Sequence, residues 1–415
     1  MKAIVGLVLG LAACGTEPAA KAVLPPAHYA TLPDLAPQDP RYLVVVGGDY
    51  ATSVVSFVDL ATVPTADSAA QPVVFSQALH SGSHVSQVAT ALSGDVVVAQ
   101  TRLPMRQAVL IDRASGVLTV IAAASGQVVR QIKTSAATAN GNPQDALLAP
   151  DGKLWVSRMA FHTLAADGIG RGDDVLSLVD GTINQRIDVH SYATVPGFIA
   201  APQRMVLSAG RIWMPLGSFA PDFKDQGPAR LLSIDPATSA IEITDLAAYG
   251  NCLSVRAAAG GRIVVACSGP FSKPKQQVGL SALVVLSPDA TQPSGWTVTA
   301  EPAASSDGVW GRDFAVHGDV VFAVTLGDLA SGRPDRLWQV NVAKHTRVEL
   351  AKSLKPFAFS GMWLDAARNT LWLGDRSGAP ADLRRWRVAP DGTTSEGKGV
   401  QSNPGGLAAI DLGAT

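Results

Sequence analysis

Residues 143–157 read PQDALLAPDGKLWVS, two short apolar runs on either side of a Pro-Asp-Gly turn. Gly152 can take the positive φ of a tight connection and the flanking runs have strand length, so the stretch predicts a β-hairpin. Variants return about every 50 residues, a spacing that marks a repeat architecture. They are VSQVATALSGDVVVAQ (85–100), PQRMVLSAGRIWMP (202–215), CLSVRAAAGGRIVVAC (252–267), RDFAVHGDVVFAVT (312–325) and SGMWLDAARNTLWLG (360–374).

A second element follows each hairpin: an apolar strand, an acidic or small turn, and another strand. It occurs as SVVSFVDLAT (53–62), QAVLIDRASG (107–116), VLSLVDGTI (175–183), RLLSIDPATS (230–239), LVVLSPDATQ (283–292), LWQVNVAKHT (337–346) and RRWRVAPDGT (384–393). Six copies of the first element stand against seven of the second, and the chain ends resolve the mismatch. The repeats begin with an unpartnered strand, YLVVVGG (42–48), and finish with NPGGLAAIDL (403–412), which echoes NPQDALLAP at 142–150. The C-terminal strand is therefore expected as the innermost strand of the first blade. The architecture expected is all-β: a seven-bladed β-propeller of four-stranded antiparallel blades, in which radial repetition leaves no long exposed sheet edge. A pair of β-sandwiches or a solenoid explains neither the period nor the split first blade. No run of ten or more residues carries a helical apolar stripe.

The chain of 415 residues is 47% hydrophobic, and its 33 Lys+Arg against 34 Asp+Glu leave a net charge of -1 with no basic run. That balance argues against a nucleic-acid partner. The N-terminus, MKAIVGLVLGLAACGTEP, places one Lys before a ten-residue apolar stretch. A membrane-spanning helix needs roughly 20 apolar residues, so the stretch is expected to be a signal peptide, residues 1–13. Leu11-Ala12-Ala13-Cys14 resembles the lipobox of bacterial lipoproteins, which implies cleavage before Cys14 and lipidation of its thiol. Gly15 follows, rather than the aspartate that marks inner-membrane retention in some bacteria, so an outer-membrane address is expected. Residues 14–40 are proline-rich and read as a semi-extended tether to a propeller spanning 41–412.

In a propeller, the loops between second and third strands share one face with the loops entering the innermost strands. Here those second-to-third loops are unequal and several are long: 47–53, 157–174, 217–230, 268–279, 327–336 and 374–382. Recognition loops on a rigid scaffold are expected on that side. The ligand-binding candidates there are Tyr50, Arg158, His162, Phe219, Phe223 and Arg376, with Phe161, Lys224, Lys273 and Arg333 beside them, and Trp310, Arg312, Asp313 and Trp363 at the entrances of inner strands. An aromatic and cationic mouth suits an anionic or flat ligand. Trp155, Trp213, Trp363 and Trp372 also read as blade-to-blade packing, and Arg312 and Asp313 as inter-blade hydrogen-bonding residues.

Catalytic constellations are thin. His80 and His84 have helical metal-ligand spacing but sit in a glycine-containing loop, and DGIGRGDD (167–174) lacks the alternating oxygens and closing Glu of a calcium loop. No G-x-S-x-G elbow, phosphate loop or C-x-x-C-H haem attachment occurs. No metal and no cofactor are expected. Cys252 and Cys267 flank one hairpin turn; an even connection sets them opposite each other, where an oxidising compartment would join them, and an odd one slips the register by one.

Residues 41–412 resemble bacterial seven-bladed YncE-like propeller lipoproteins, most clearly in NPQDALLAPDGKLWVS, RMVLSAGRIWMP and RLLSIDPATS. The resemblance implies a monomeric, non-enzymatic, outer-membrane-anchored binding propeller. Relatives of this type capture corrinoids or other nutrients and pass them to TonB-dependent transporters, so a small molecule or a membrane partner protein is the expected ligand. The alternative is a lyase or lactonase at the channel mouth, which requires a convergent acid, base or metal set such as His162 with Asp174 or Arg312 with Asp313.

Overall fold

A computed structural model of the chain describes residues 40–63, 72–135, 141–159, 173–246, 249–292, 294–378, 383–389, 392–401 and 409–415. The signal stretch, Cys14 and the tether up to residue 39 lie outside the described residues, as do Phe161 and His162.

Among the described residues, seven four-stranded antiparallel sheets form a ring. The sixth blade shows the repeat in full: Val309–His317 innermost, then Val320–Leu326, Arg336–Asn341 and Thr346–Lys352 outward. The second strand of each blade is apolar on both faces because neighbouring blades cover both. VVFAVTL at 320–326 is buried along nearly its whole length, whereas the outermost TRVELAK at 346–352 is largely exposed.

Blade one is closed from both chain ends. Ala409–Ala414 pairs antiparallel with Tyr42–Gly48, from Leu43 opposite Ala414 to Gly48 opposite Ala409, and Tyr42–Gly48 pairs on its other side with Ser53–Asp59. The closing strand thus lies where the repeat count places it, two residues further along than NPGGLAAIDL; residues 402–408 fall outside the described set.

The core is seven apolar clusters, each between two neighbouring blades and together completing the circle. Trp155 packs between blades three and four, Trp213 between four and five, Trp310 between five and six, and Trp363 and Trp372 between seven and one.

The stretch 85–100 departs from its expectation as a hairpin. Residues 81–95 run as turns, and only Val96–Val98 is strand, the innermost of blade two and paired with Gln107–Asp112. Side chains of the same blade take the place of a ladder there: Gln131 Oε1 accepts from the Ala89 and Thr90 N–H groups, and Asp112 accepts from the N–H and hydroxyl of Ser93.

Cys252 and Cys267 form a disulfide and are fully buried. Ala257 opposes Ile263 across a five-residue connection, an odd number that by itself would set the cysteines out of register. A bulge at Leu253 absorbs one residue and brings Cys252 opposite Cys267. The bond closes a segment with a sequence separation of 15. Replacing both residues by Ala is expected to lower stability by about 3 kcal/mol, the loop-closure entropy for a segment of that length, with the fold retained. The check is the denaturant midpoint of the double variant, with circular dichroism confirming the sheets.

Candidate functional site

The innermost strands bring a set of charges into the channel. Asp411 stands on the closing strand of blade one, Asp145 on Pro143–Leu148 of blade three and Arg204 just ahead of Val206–Ser208 of blade four. Arg256 stands on Cys252–Ala257 of blade five, and Arg312 and Asp313 on blade six. The carboxylates have a first task in the scaffold. Asp411 accepts the N–H of Val98 in blade two at 2.8 Å, Asp145 that of Met205 leading into blade four at 2.7 Å, and Asp313 that of Gly361 in blade seven at 3.0 Å. Thr101, Ser254 and Ser360 make comparable bonds to the blade that follows each.

Arg204 reaches across the channel from blade four to blade one, where one Nη donates to both oxygens of Asp411 at 2.8 and 2.9 Å. Both side chains are buried. Burial pushes the Asp411 carboxyl up, but Arg204 and Arg312 outweigh it and hold it below its ordinary value. Burial pulls Arg204 down while Asp411, Asp145 and Asp313 outweigh it, so it is held above its usual range. Arg256, desolvated and then repelled by Arg204, is lowered to about 10 and still carries its charge at neutral pH. It donates to the Val255 carbonyl and lies 5.5 Å from the Phe314 ring centroid.

Two chambers lie at the long-loop mouth. The larger, about 670 Å³, opens over blades five, six, seven, one and two and has Tyr50, Asp313, Phe357, Phe359 and Arg376 in its wall. The smaller, about 260 Å³, opens over blades two to six and is lined by Met159, Phe219, Phe223 and Phe271. Val97, Arg113, Asn251, Leu253 and Arg312 border both. The ion pair across the channel underlies the divide, with Arg204 in the lining of the smaller chamber and Asp411 in that of the larger.

The arginines of the mouth differ in how they are held. Arg113 is fixed by Asp95, with Nε at 2.9 Å from Oδ1. Arg376 donates to the Phe357 carbonyl and is lowered by burial. Arg312 is half-buried, donates no side-chain hydrogen bond among the described residues, and has its nearest carboxylate, Asp313, 3.8 Å away. Its guanidinium therefore faces the space where the chambers meet.

Aromatic side chains of the mouth stand on strained backbone. Tyr50, Phe223 and Phe357 have φ of 68°, 57° and 54°, a left-handed conformation uncommon for bulky residues and concentrated at functional sites. Tyr50 is 73% exposed. Its loop lies against Gly94, where a Cβ would come within 2.2 Å of the Tyr50 carbonyl carbon, so the approach requires glycine. Phe219 stacks on Phe271 with centroids 6.1 Å apart at 18°, and Phe223 tilts against Phe219 at 5.8 Å.

Of the residues singled out from the sequence, Tyr50, Arg312, Asp313, Arg333 and Arg376 line the larger chamber and Phe219, Phe223 and Arg312 the smaller. Arg158 lies elsewhere: wholly buried in blade three, it forms a forked pair with Asp174 at 2.7 and 2.6 Å. Trp310 is buried between blades, donating to the Glu301 carbonyl, and Trp363 packs in the blade-seven-to-one cluster. Lys224 sits in solvent 3.4 Å from Asp222. Asp174 is occupied by Arg158 and Arg186, and its suggested partner His162 is outside the described residues. Among the described residues no group of three or more His, Cys, Asp or Glu side chains converges to hold a metal ion. Asp145, Arg204 and Asp411 went unnoticed in the sequence. The signal was present, since superposing PQDALL, PQRMVL, GRDFAV and AIDLGA puts Asp145, Arg204, Asp313 and Asp411 at one repeat position.

No protein-family model matches the chain, and no curated protein matches it in sequence. In structure it is similar to a hypothetical selenium-binding protein of Sulfolobus tokodaii (TM-score 0.56, 9% identity, covering 91% of this chain and 93% of that one). It is also similar to a catalytically inactive virginiamycin B lyase of Staphylococcus aureus solved with quinupristin (TM-score 0.52, 10% identity, 85% and 96%). A third is a putative 6-phosphogluconolactonase of Bacteroides fragilis (TM-score 0.51, 8% identity, 90% and 98%). At such identities the likeness shows the fold: a seven-bladed β-propeller whose neighbours include lyase-like and lactonase-like propellers. It carries no residue role across.

Asp145 gives the channel a pH signature. Burial raises its carboxyl to about 6, against the pull of Arg204 and the Met205 N–H, and Oδ1 has no hydrogen-bond partner. Between about pH 4 and pH 6 the folded protein holds a proton there that the unfolded chain has released, so unfolding releases a proton and stability falls as pH rises through that window. A shift of this size corresponds to on the order of 3 kcal/mol. Asp145→Asn removes the titration and is expected to flatten the dependence, read from urea midpoints at about pH 4 and pH 6.5.

Proposed function

We propose that the protein is a non-enzymatic binding propeller of the bacterial envelope, anchored through lipid on Cys14, which captures an anionic small molecule at its long-loop mouth. Arg312 carries the reading: a half-buried guanidinium between two chambers, with no hydrogen bond of its own and its nearest carboxylate beyond hydrogen-bond distance. A guanidinium so placed keeps all its N–H donors open, and an oxyanion supplies a forked pair of hydrogen bonds. The larger chamber falls within the usual size range of small-ligand sites, about 300 to 1,000 Å³, and its concavity favours a small molecule over a flat protein partner. The lipobox at Leu11–Cys14 and the resemblance to YncE-like propeller lipoproteins support the envelope address. Delivery of the cargo, a nutrient or cofactor, to a TonB-dependent transporter completes the reading.

The lyase or lactonase alternative has one observation in its favour, Arg312 and Asp313 sharing the larger chamber at 3.8 Å. Lactone hydrolysis that is abolished by Asp313→Asn would replace the binding reading with that one.

Two outcomes are expected. Cys14→Ser abolishes incorporation of labelled palmitate and releases the protein from the membrane fraction; retention of label in the variant overturns the anchor. Arg312→Gln, with its unfolding midpoint unchanged, weakens binding of citrate and pyrophosphate at least tenfold by calorimetric titration; equal affinities overturn the anion site.

A further inference from the structure

The smaller chamber has an aromatic wall facing a polar one, a pairing that defines the ligand more narrowly. On one side Phe219 and Phe271 are nearly parallel, Phe223 leans on Phe219, and Met159 and Leu253 lie beside them; on the other stand Gln144, Gln203, Asn251, Arg113, Arg204 and Arg312. Phe219, Phe223, Met159 and Leu253 belong to a small cluster separate from the seven large inter-blade cores. Phe271 remains 42% exposed, and Phe223 keeps its left-handed backbone in the same wall. The larger chamber adds further polar groups among apolar ones, including Ser268, Ser360 and Asp328. Arg312 stands at the boundary of the two.

We infer that the ligand is a two-part molecule: a flat aromatic ring system seated in the smaller chamber, bearing an oxyanion that meets Arg312, with any polar remainder projecting into the larger one. This rests on the anion-capture reading and adds its substrate class. The volume of about 260 Å³ admits a ring system and excludes a large macrocycle. Ring faces offset against Phe219 and Phe271 gain dispersion and quadrupole attraction, and aromatic burial removes apolar surface from water. The anion fixes which way round the ring enters. Neither part alone uses both walls, so ring and charge on one scaffold bind more tightly than either fragment.

The test uses three probes, 2-naphthoate, 2-naphthol and acetate, titrated calorimetrically against the wild-type protein, Phe271→Ser and Arg312→Gln. Phe271 is surface-accessible, so its replacement is compatible with folding, and unfolding midpoints confirm this for both variants. The result expected is that 2-naphthoate binds at least tenfold more tightly than either fragment, and that each substitution weakens it tenfold or more. Binding of 2-naphthol should respond to Phe271→Ser alone. If Arg312→Gln weakens 2-naphthoate and acetate while Phe271→Ser changes nothing, the two-part ligand is overturned and the anion site stands. If Arg312→Gln changes nothing, or 2-naphthoate does not bind, the inference fails; unchanged citrate and pyrophosphate binding in Arg312→Gln shows separately that the anion reading has failed.

Discussion

The ion pair between Arg204 and Asp411 is the interaction on which most else depends. It joins two blades on opposite sides of the ring, and Asp411 lies on the strand that closes that ring beside Tyr42–Gly48. The same carboxylate accepts the Val98 N–H of blade two. A single side chain thus ties the closing strand to its neighbour and to the far wall. Two buried charges are costly to desolvate, and a buried pair adds net stability only when its geometry and remaining hydrogen bonds are good. Asp411 meets that condition on both oxygens. Removing either partner leaves an uncompensated charge inside the channel, which makes closure of the ring and order of the channel one event.

Most of the fold was legible because a propeller repeats its chemistry. Gly or Asn at the hairpin turns, Val- and Ile-rich second strands and the six-against-seven mismatch point to one ring closed by the C-terminal strand, and the register of Ala409–Ala414 on Leu43–Gly48 is that closure. The failures are local and have a common cause: tertiary hydrogen bonds that no pattern displays. At 85–95 the alternation looks strand-like, yet Gln131, over 40 positions away in sequence, satisfies the backbone of Ala89 and Thr90, and Asp112 that of Ser93. The cysteine hairpin has the opposite character. Its odd connection argues against a bond, and one bulged residue restores the pairing.

The site was legible as a face but not as a set of side chains. Loop length marks the side on which ligand-facing residues collect, and Tyr50, Phe219, Phe223, Arg312 and Arg376 line chambers there. What the sequence hides is which arginines the scaffold consumes. Arg158 and Arg312 are both arginines at the mouth-side ends of blade strands. In blade three, however, Asp174 sits directly opposite Arg158 in the strand register and takes it in a forked pair. Arg312 has Asp313 as its neighbour in sequence, in the irregular stretch between Trp310 and Phe314 where no residue of the next strand sits opposite. Asp313 turns to the Gly361 N–H of the next blade and leaves the guanidinium behind. Composition treats the two arginines alike; strand register separates them.

Three arginines and three aspartates enter the channel from the inner strands, so the set is neutral as a whole while its members are unequally satisfied. Arg204 and Asp411 satisfy each other. Asp145 is raised by burial, and Arg256 makes do with a carbonyl and an aromatic face. Arg312 is bordered by both chambers instead of by a carboxylate within hydrogen-bond distance. A fold could relieve this by placing a carboxylate opposite Arg312, at the cost of filling the space between the chambers. Asp411 is bonded to Arg204 and to the Val98 N–H, and the charge of Arg312 adds to that of Arg204 in keeping it ionised. The carboxylate that closes the ring is therefore also the one that two channel arginines, Arg204 and Arg312, act on together.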